Sequence, residues 1–185
     1  MARAESNTMP IGTSAPAFEL PDTRTNQPHV SLKDYLGNPV LIVFMCNHCP
    51  YVVHLLKPLV ALASDIDKSG IKTIAISSND VANYPDDSPE LMAKLAADNN
   101  FNFPYCFDEE QTVARAFDAV CTPDIFLFDA QHKLYYHGQF DETRPKQGEA
   151  HGTDLRNACD ALLRGDATPD AQQPSVGCSI KWKTA

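Results

Sequence analysis

Three apolar stretches of this chain are short, nearly unbroken and rich in β-branched or aromatic residues: VLIVFM at 40–45, IKTIAIS at 71–77 and DIFLFD at 124–129. Runs of this length cannot span a membrane and predict buried strands. After the first run, Val52, Val53, Leu55, Leu56, Leu59 and Val60 recur at helical spacing. Pro58 should kink that helix by removing a donor and crowding the carbonyl of His54, and Gly70 ends it. A second helix is predicted over 89–99, with Pro89 at its first position and Leu91, Met92, Leu95 and Ala96 turned inward. A third covers 108–117, with acids at its start as the helix dipole prefers. The last, over 154–163, carries Leu155, Ala158, Leu162 and Leu163.

Shorter elements fill the gaps. Residues 17–20 and 103–107 read as short strands, and 133–139 as a strand pairing antiparallel with 124–129. Ser31 is placed to cap one helical turn stopped by Gly37. In the tail 176–184, Ile180 and Trp182 alternate with Lys181 and Lys183, which predicts an edge strand. Residues 1–15 are small and polar and are expected to fray. Residues 21–28 read as a polar turn, 79–88 and 141–152 as loops, and 165–174 as linker-like. The order β-α-β-α-β-α-β-β-α predicts an α/β sandwich, a mixed sheet with helices on both faces, formed as one domain over 16–185.

Composition narrows the function classes. A chain of 185 residues with 43% hydrophobic content suits one domain with a real core. Its net charge of −9 and pI near 5.0, with no basic stretch, argue against nucleic acid as a partner. The first residues lack the apolar core of a signal peptide, and no run approaches the ~20 apolar residues of a membrane helix. Six cysteines without export machinery read as reactive or buried thiols, and the expected compartment is cytoplasmic.

The chemistry concentrates where the first run meets its helix, at Cys46-Asn47-His48-Cys49. Two cysteines three apart in one turn can bring their sulfurs together. The first turn of a helix offers unpaired N–H groups and the positive end of the dipole, which favour the reactive thiolate. The competing use of C-x-x-C is half a structural zinc site. Zinc takes four ligands, usually from two such pairs, and Cys106, Cys121, Cys159 and Cys178 form no second pair. Redox work without a metal or other cofactor is therefore expected.

Three signatures coincide with this motif: the strand–C-x-x-C–helix unit, Thr122-Pro123-Asp124 at the start of a strand, and the element order. Together they resemble the thioredoxin fold. The phrases CNHCPYV, CTPDIFLFD and SVGCSIKW are similar to the C-x-x-C-containing, peroxiredoxin-like branch of that superfamily, the redoxin or alkyl hydroperoxide reductase/thiol-specific antioxidant group. The resemblance covers about residues 10–182. It implies a thioredoxin-like three-layer sandwich with an N-terminal extension and a C-terminal tail. It also implies a cis Thr122–Pro123 bond beside the sulfurs, where Thr122 and Pro123 would hold an extended substrate. Cys46 would be the exposed nucleophile and Cys49, one turn into the helix, the resolving thiol. His48, between the cysteines as in DsbA-type oxidases, would with Asn47 tune the pair, and Cys121 and Cys178 are candidates for an extra redox thiol. Partners would be a protein or small-molecule disulfide, or a peroxide, together with a thiol reductant, acting on a monomer or homodimer.

The departures from the family pattern leave alternatives open. On the peroxiredoxin pattern P-x-x-x-T-x-x-C, with Cys49 as the peroxide-reacting thiol, Cys46 stands for the threonine and Ile42 for the proline. Thioredoxin's Trp and buried Asp are replaced by Met45 and Val40, so no carboxylate on this strand can shuttle the second cysteine's proton. Besides disulfide exchange, peroxide reduction through a Cys49 sulfenic acid and a non-catalytic redox sensor both fit. His54, Cys106 and Cys159 read as packed residues.

Overall fold

The run at 40–45 becomes the central strand of a five-stranded sheet in the computed structural model, which describes residues 2–24, 29–169 and 172–184. In chain order the elements are β1 (Arg3–Glu5), β2 (Glu19–Leu20), β3 (Val30–Ser31), β4 (Val40–Phe44), α1 (Pro50–Lys68), β5 (Lys72–Ser77), α2 (Pro89–Asp98), β6 (Tyr105–Phe107), α3 (Thr112–Ala116), β7 (Cys121–Thr122), β8 (Asp124–Phe128), β9 (Leu134–His137), α4 (Thr153–Arg164) and β10 (Val176–Ser179). Single 3-10 turns lie at Leu32–Tyr35 and Pro85–Asp87.

The main sheet runs β6-β5-β4-β8-β9, with β4, β5 and β6 parallel and β8 and β9 antiparallel to their neighbours. All five residues of β4 are buried, because both of its faces are covered. Leu41, Val43 and Met45 pack with α1, with Met92 and Ala96 of α2, and with Leu155 and Ala158 of α4. Val40, Ile42 and Phe44 pack on the opposite side with Val113 and Ala114 of α3 and with Phe18, Leu20 and Leu32. Edge-on aromatic contacts of Phe117 with Phe44, Phe126 and Phe128 fill that second layer. This is the mixed-sheet α/β sandwich with helices on both faces.

Local chemistry sets the helix starts. Pro50 is the first residue of α1, and Val52, Leu55, Leu56, Leu59, Leu62, Ala63 and Ile66 form its buried stripe. Ser88 caps α2, its hydroxyl accepting from the Leu91 N–H. α3 is shorter than its pattern suggests. Asp108 lies outside it, and its carboxylate accepts the N–H groups of Val113 and Ala114 at 3.3 and 2.9 Å, within the first turn. Among the described residues no helix is long and apolar enough to cross a membrane.

Four expectations need correcting. The first residues are not frayed: β1 pairs antiparallel with β10, and Ser14 bridges Lys133. The tail is not an edge strand, because β10 lies between β1 and β7 in a three-stranded antiparallel sheet. Leu91 faces solvent, since Met92 and Ala96 already occupy the inner face of α2. The linker-like stretch is tied to the sheet, with Gln172 Oε1 accepting from the His137 N–H at 2.7 Å. Part of the polar turn at 21–28 lies outside the described residues.

Candidate active site

β4 ends at Phe44, and the chain reaches α1 through Cys46, Asn47, His48 and Cys49. Cys49 is therefore the N-cap of α1, not a residue one turn inside it. It makes no formed capping hydrogen bond, yet the Val52 N–H still turns its positive end toward the sulfur. Thr122 lies between the two cysteines: Cys46 Sγ is 3.4 Å from its hydroxyl and Cys49 Sγ is 3.1 Å from its carbonyl oxygen. The Thr122–Pro123 bond is cis.

Cys46 is not exposed. It is 1% accessible and Cys49 0%, both within the apolar cluster that includes Met45, Val52 and Cys178. Their environments differ in sign. The Cys46 thiol donates toward the Cys49 sulfur. That bond, helped by Cys178, the Val52 N–H and Thr122, draws the Cys49 thiol down to about 5 against the opposing effect of burial. The same bond, burial and the negative charge of Asp87 push Cys46 up. Of the two thiols, Cys49 is thus the more readily ionised.

Asp87 is the functional residue that the sequence reading missed. It is wholly buried. Its Oδ1 accepts the N–H groups of Asn47 at 2.8 Å and His48 at 3.3 Å, and its Oδ2 accepts the Asn79 amide at 2.8 Å. His48 Nδ1 lies 2.7 Å from Oδ2 without an aligned hydrogen bond. The carboxylate absent from β4 is thus supplied by the turn after β5. A detectable signal existed: an acid-rich loop following the parallel neighbour of β4 sits at the carboxyl ends of the strands, where α/β sites form.

Other candidates fall on both sides of the line. Asn47 is a brace, its side chain donating to the Asp86 carbonyl and accepting from the Tyr105 hydroxyl. His48 stacks on Tyr84 with ring centroids 5.8 Å apart. Cys178 is brought into the site, its thiol beside Cys49, and burial pushes it up to about 12. Cys121 turns back to its own chain, 3.6 Å from the Pro123 carbonyl, and burial raises it. Burial also lifts Cys106 and Cys159 to about 12, as befits core thiols. His54 hydrogen-bonds Thr143 at 2.9 Å.

Cys46, His48 and Asp87 together offer sulfur, nitrogen and oxygen donors within 4.8 Å of one another, a metal-like set that needs no second C-x-x-C. The 2.7 Å between His48 Nδ1 and Asp87 Oδ2 is shorter than the roughly 3.4 Å between two ligands of a tetrahedral zinc ion. A metal would have to spread the two side chains apart.

No curated protein matches the chain. Among solved structures, an uncharacterized conserved protein from Geobacillus kaustophilus is 46% identical, with a TM-score of 0.96, over 100% of this chain and 98% of that one. A hypothetical protein from Sinorhizobium meliloti 1021 is 39% identical, with a TM-score of 0.93, over 98% and 99%. Peroxidoxin BcpB from Mycobacterium tuberculosis shares the fold at 21% identity and a TM-score of 0.63, over 85% and 98%. The AhpC/TSA family model matches residues 11–137, more than half of the chain. With that match, a thioredoxin-like fold and a C-x-x-C at the head of α1, the chain belongs to the AhpC/TSA family.

Proposed function

We propose that the protein is a thiol–disulfide oxidoreductase that cycles Cys46 and Cys49 between dithiol and disulfide. One observation carries this reading: the sulfurs of Cys46 and Cys49 both lie against Thr122, at 3.4 and 3.1 Å, beside the cis Thr122–Pro123 bond. In the forward step Cys46 loses its proton to solvent as the substrate disulfide docks. The Cys46 thiolate attacks a substrate disulfide, forming a mixed disulfide and releasing one substrate thiolate. Cys49 then attacks the Cys46 sulfur and releases the second substrate thiolate, which takes up the Cys49 proton. The substrate gains two electrons, and a Cys46–Cys49 disulfide remains for a thiol reductant to reopen. Asp87 holds the Cys46–Cys49 loop and His48 in place throughout. In the test, Cys46→Ser abolishes turnover of a disulfide substrate, whereas Cys49→Ser accumulates a mixed disulfide on Cys46. Full turnover in Cys46→Ser would contradict the assignment.

A second reading has a specific observation behind it. Cys49 stands at the start of a helix with its thiol drawn down to about 5, at the position of a peroxide-reacting cysteine in this family. Attack on a peroxide would give a Cys49 sulfenic acid that Cys46 condenses with, again leaving Cys46–Cys49. Cys46 and Ile42 stand where the peroxide-activating threonine and proline would be, which weighs against fast peroxide chemistry. The rate with hydrogen peroxide separates the two: a free-thiol rate leaves disulfide exchange, and a much faster one with sulfenate on Cys49 favours peroxide reduction.

A further inference from the structure

The backbone edge beside Pro123 is where the family resemblance places an extended substrate. In this chain that edge is already taken. β10 lies antiparallel on β7, with Cys178 opposite Thr122 and Ser179 opposite Cys121, and the Ile180 N–H bonds the Val120 carbonyl at 2.9 Å. The approach is so close that a Cβ on Gly177 would fall 1.9 Å from the Thr122 oxygen. That same oxygen is 3.1 Å from Cys49 Sγ. β1 covers the other edge of β10, and the Lys181 N–H donates to Asn79 Oδ1 at 2.8 Å. The strand is therefore built in, and the residue it presents opposite Thr122 is a cysteine.

We propose that β10 is a resident substrate strand and Cys178 a third redox thiol that exchanges with Cys49, a step that rests on the proposed Cys46–Cys49 chemistry. In the oxidised protein the Cys178 sulfur attacks Cys49 Sγ. The Cys46–Cys49 bond breaks, a Cys49–Cys178 bond forms, and Cys46 leaves as a thiolate that takes up the proton given by Cys178. No electrons enter or leave: one disulfide is exchanged for another, and the oxidised protein is a mixture of two isomers. Ordering by β1 and Asn79 holds Cys178 in the place an incoming substrate cysteine would otherwise have to find by diffusion.

Trypsin separates the two isomers. Cys46 and Cys49 share the peptide 34–68, since the Lys57–Pro58 bond resists cleavage, while Cys178 lies in 165–181 and Cys121 in 116–133. The reduced full-length protein is oxidised with one equivalent of diamide, acid-quenched, alkylated, digested without reduction and weighed. Wild type is expected to give 34–68 with an internal disulfide together with 34–68 joined to 165–181, on single-chain protein. Folded Cys46→Ser is expected to give the joined pair in most molecules, falling at least tenfold in Cys46→Ser/Cys178→Ser. Wild type with the internal disulfide alone overturns the inference and leaves the proposed function standing. So does a joined pair involving 116–133, or folded Cys46→Ser that keeps Cys49 and Cys178 free. Absence of the internal disulfide from wild type overturns the proposed function instead. If Cys46→Ser does not fold, the wild-type digest decides alone.

Discussion

Replacing Asp87 with Asn changes charge while keeping shape, and it isolates what the buried carboxylate does to Cys46. The two groups present their donor atoms within 4.8 Å. At an effective dielectric of about 20, a charge at that distance disfavours the Cys46 thiolate by about 3.5 kcal/mol. The Asn47 and His48 backbone N–H groups that Asp87 accepts cancel part of this. An effect of half that size is still more than tenfold in thiolate population. The assay is alkylation of Cys46 by iodoacetamide in a Cys49→Ser background, followed by mass spectrometry across pH. At pH 7 the Asp87→Asn protein should react at least tenfold faster. At high pH, where both proteins are ionised, the rates should converge. Stability should fall by roughly 1–3 kcal/mol, because the Asn79 amide loses its acceptor. A folded Asp87→Asn protein whose Cys46 reacts within twofold of the parent, or more slowly, would refute the charge argument.

Other outcomes follow from the same geometry. With Cys49 at about 5, reduction between pH 6 and 8 takes up one proton per two electrons, so the potential should fall about 30 mV per pH unit; a 59 mV slope would show two protonated thiols. The Cys49 value is depressed below that of an unfolded cysteine, so its stabilising contribution is full above the unfolded value and is lost as pH falls toward 5. Urea titrations of the reduced protein should therefore show about 2 kcal/mol lost from pH 7 to 5, and the oxidised protein should not show this loss. Gly177→Ala puts a methyl 1.9 Å from the Thr122 oxygen, so β10 must shift; the melting temperature should drop and Cys178 should alkylate faster. Leu59→Ala empties a site at 0% exposure and should cost about 2–5 kcal/mol in urea with redox activity retained.

How much of this was readable in advance follows the range of the interactions. β4 and α1 were legible because local periodicity carries them: a continuous apolar run for a strand covered on both faces, then a stripe at helical spacing behind Pro50. The position of the C-x-x-C between them followed directly. Helix phase was less secure, as Leu91 shows, because one residue of rotation exchanges it with Met92. The sheet β1-β10-β7 was not legible. It joins residues 3–5 to 176–179, and pairing across nearly the whole chain leaves no local period. The burial of Cys46 went unseen for a related reason: long-range packing, with the tail's Cys178 in the same apolar cluster, encloses a cysteine that the motif alone leaves open. Asp87 was missed because its importance comes from tertiary contacts with Asn47, His48 and Asn79, not from its neighbours in sequence.

The most direct test of the central claim is a redox titration of the Cys178→Ser protein, in which Cys49 has no third thiol to exchange with, against graded ratios of reduced to oxidised glutathione, read by the mass of peptide 34–68 after acid quench and alkylation. In this background the account predicts a single two-electron transition in which Cys46 and Cys49 disappear together as free thiols, absent in Cys46→Ser/Cys178→Ser, with the oxidised form returned to dithiol by added thiol. A pair that stays reduced across the whole range, or a transition that survives intact in Cys46→Ser/Cys178→Ser, would contradict it.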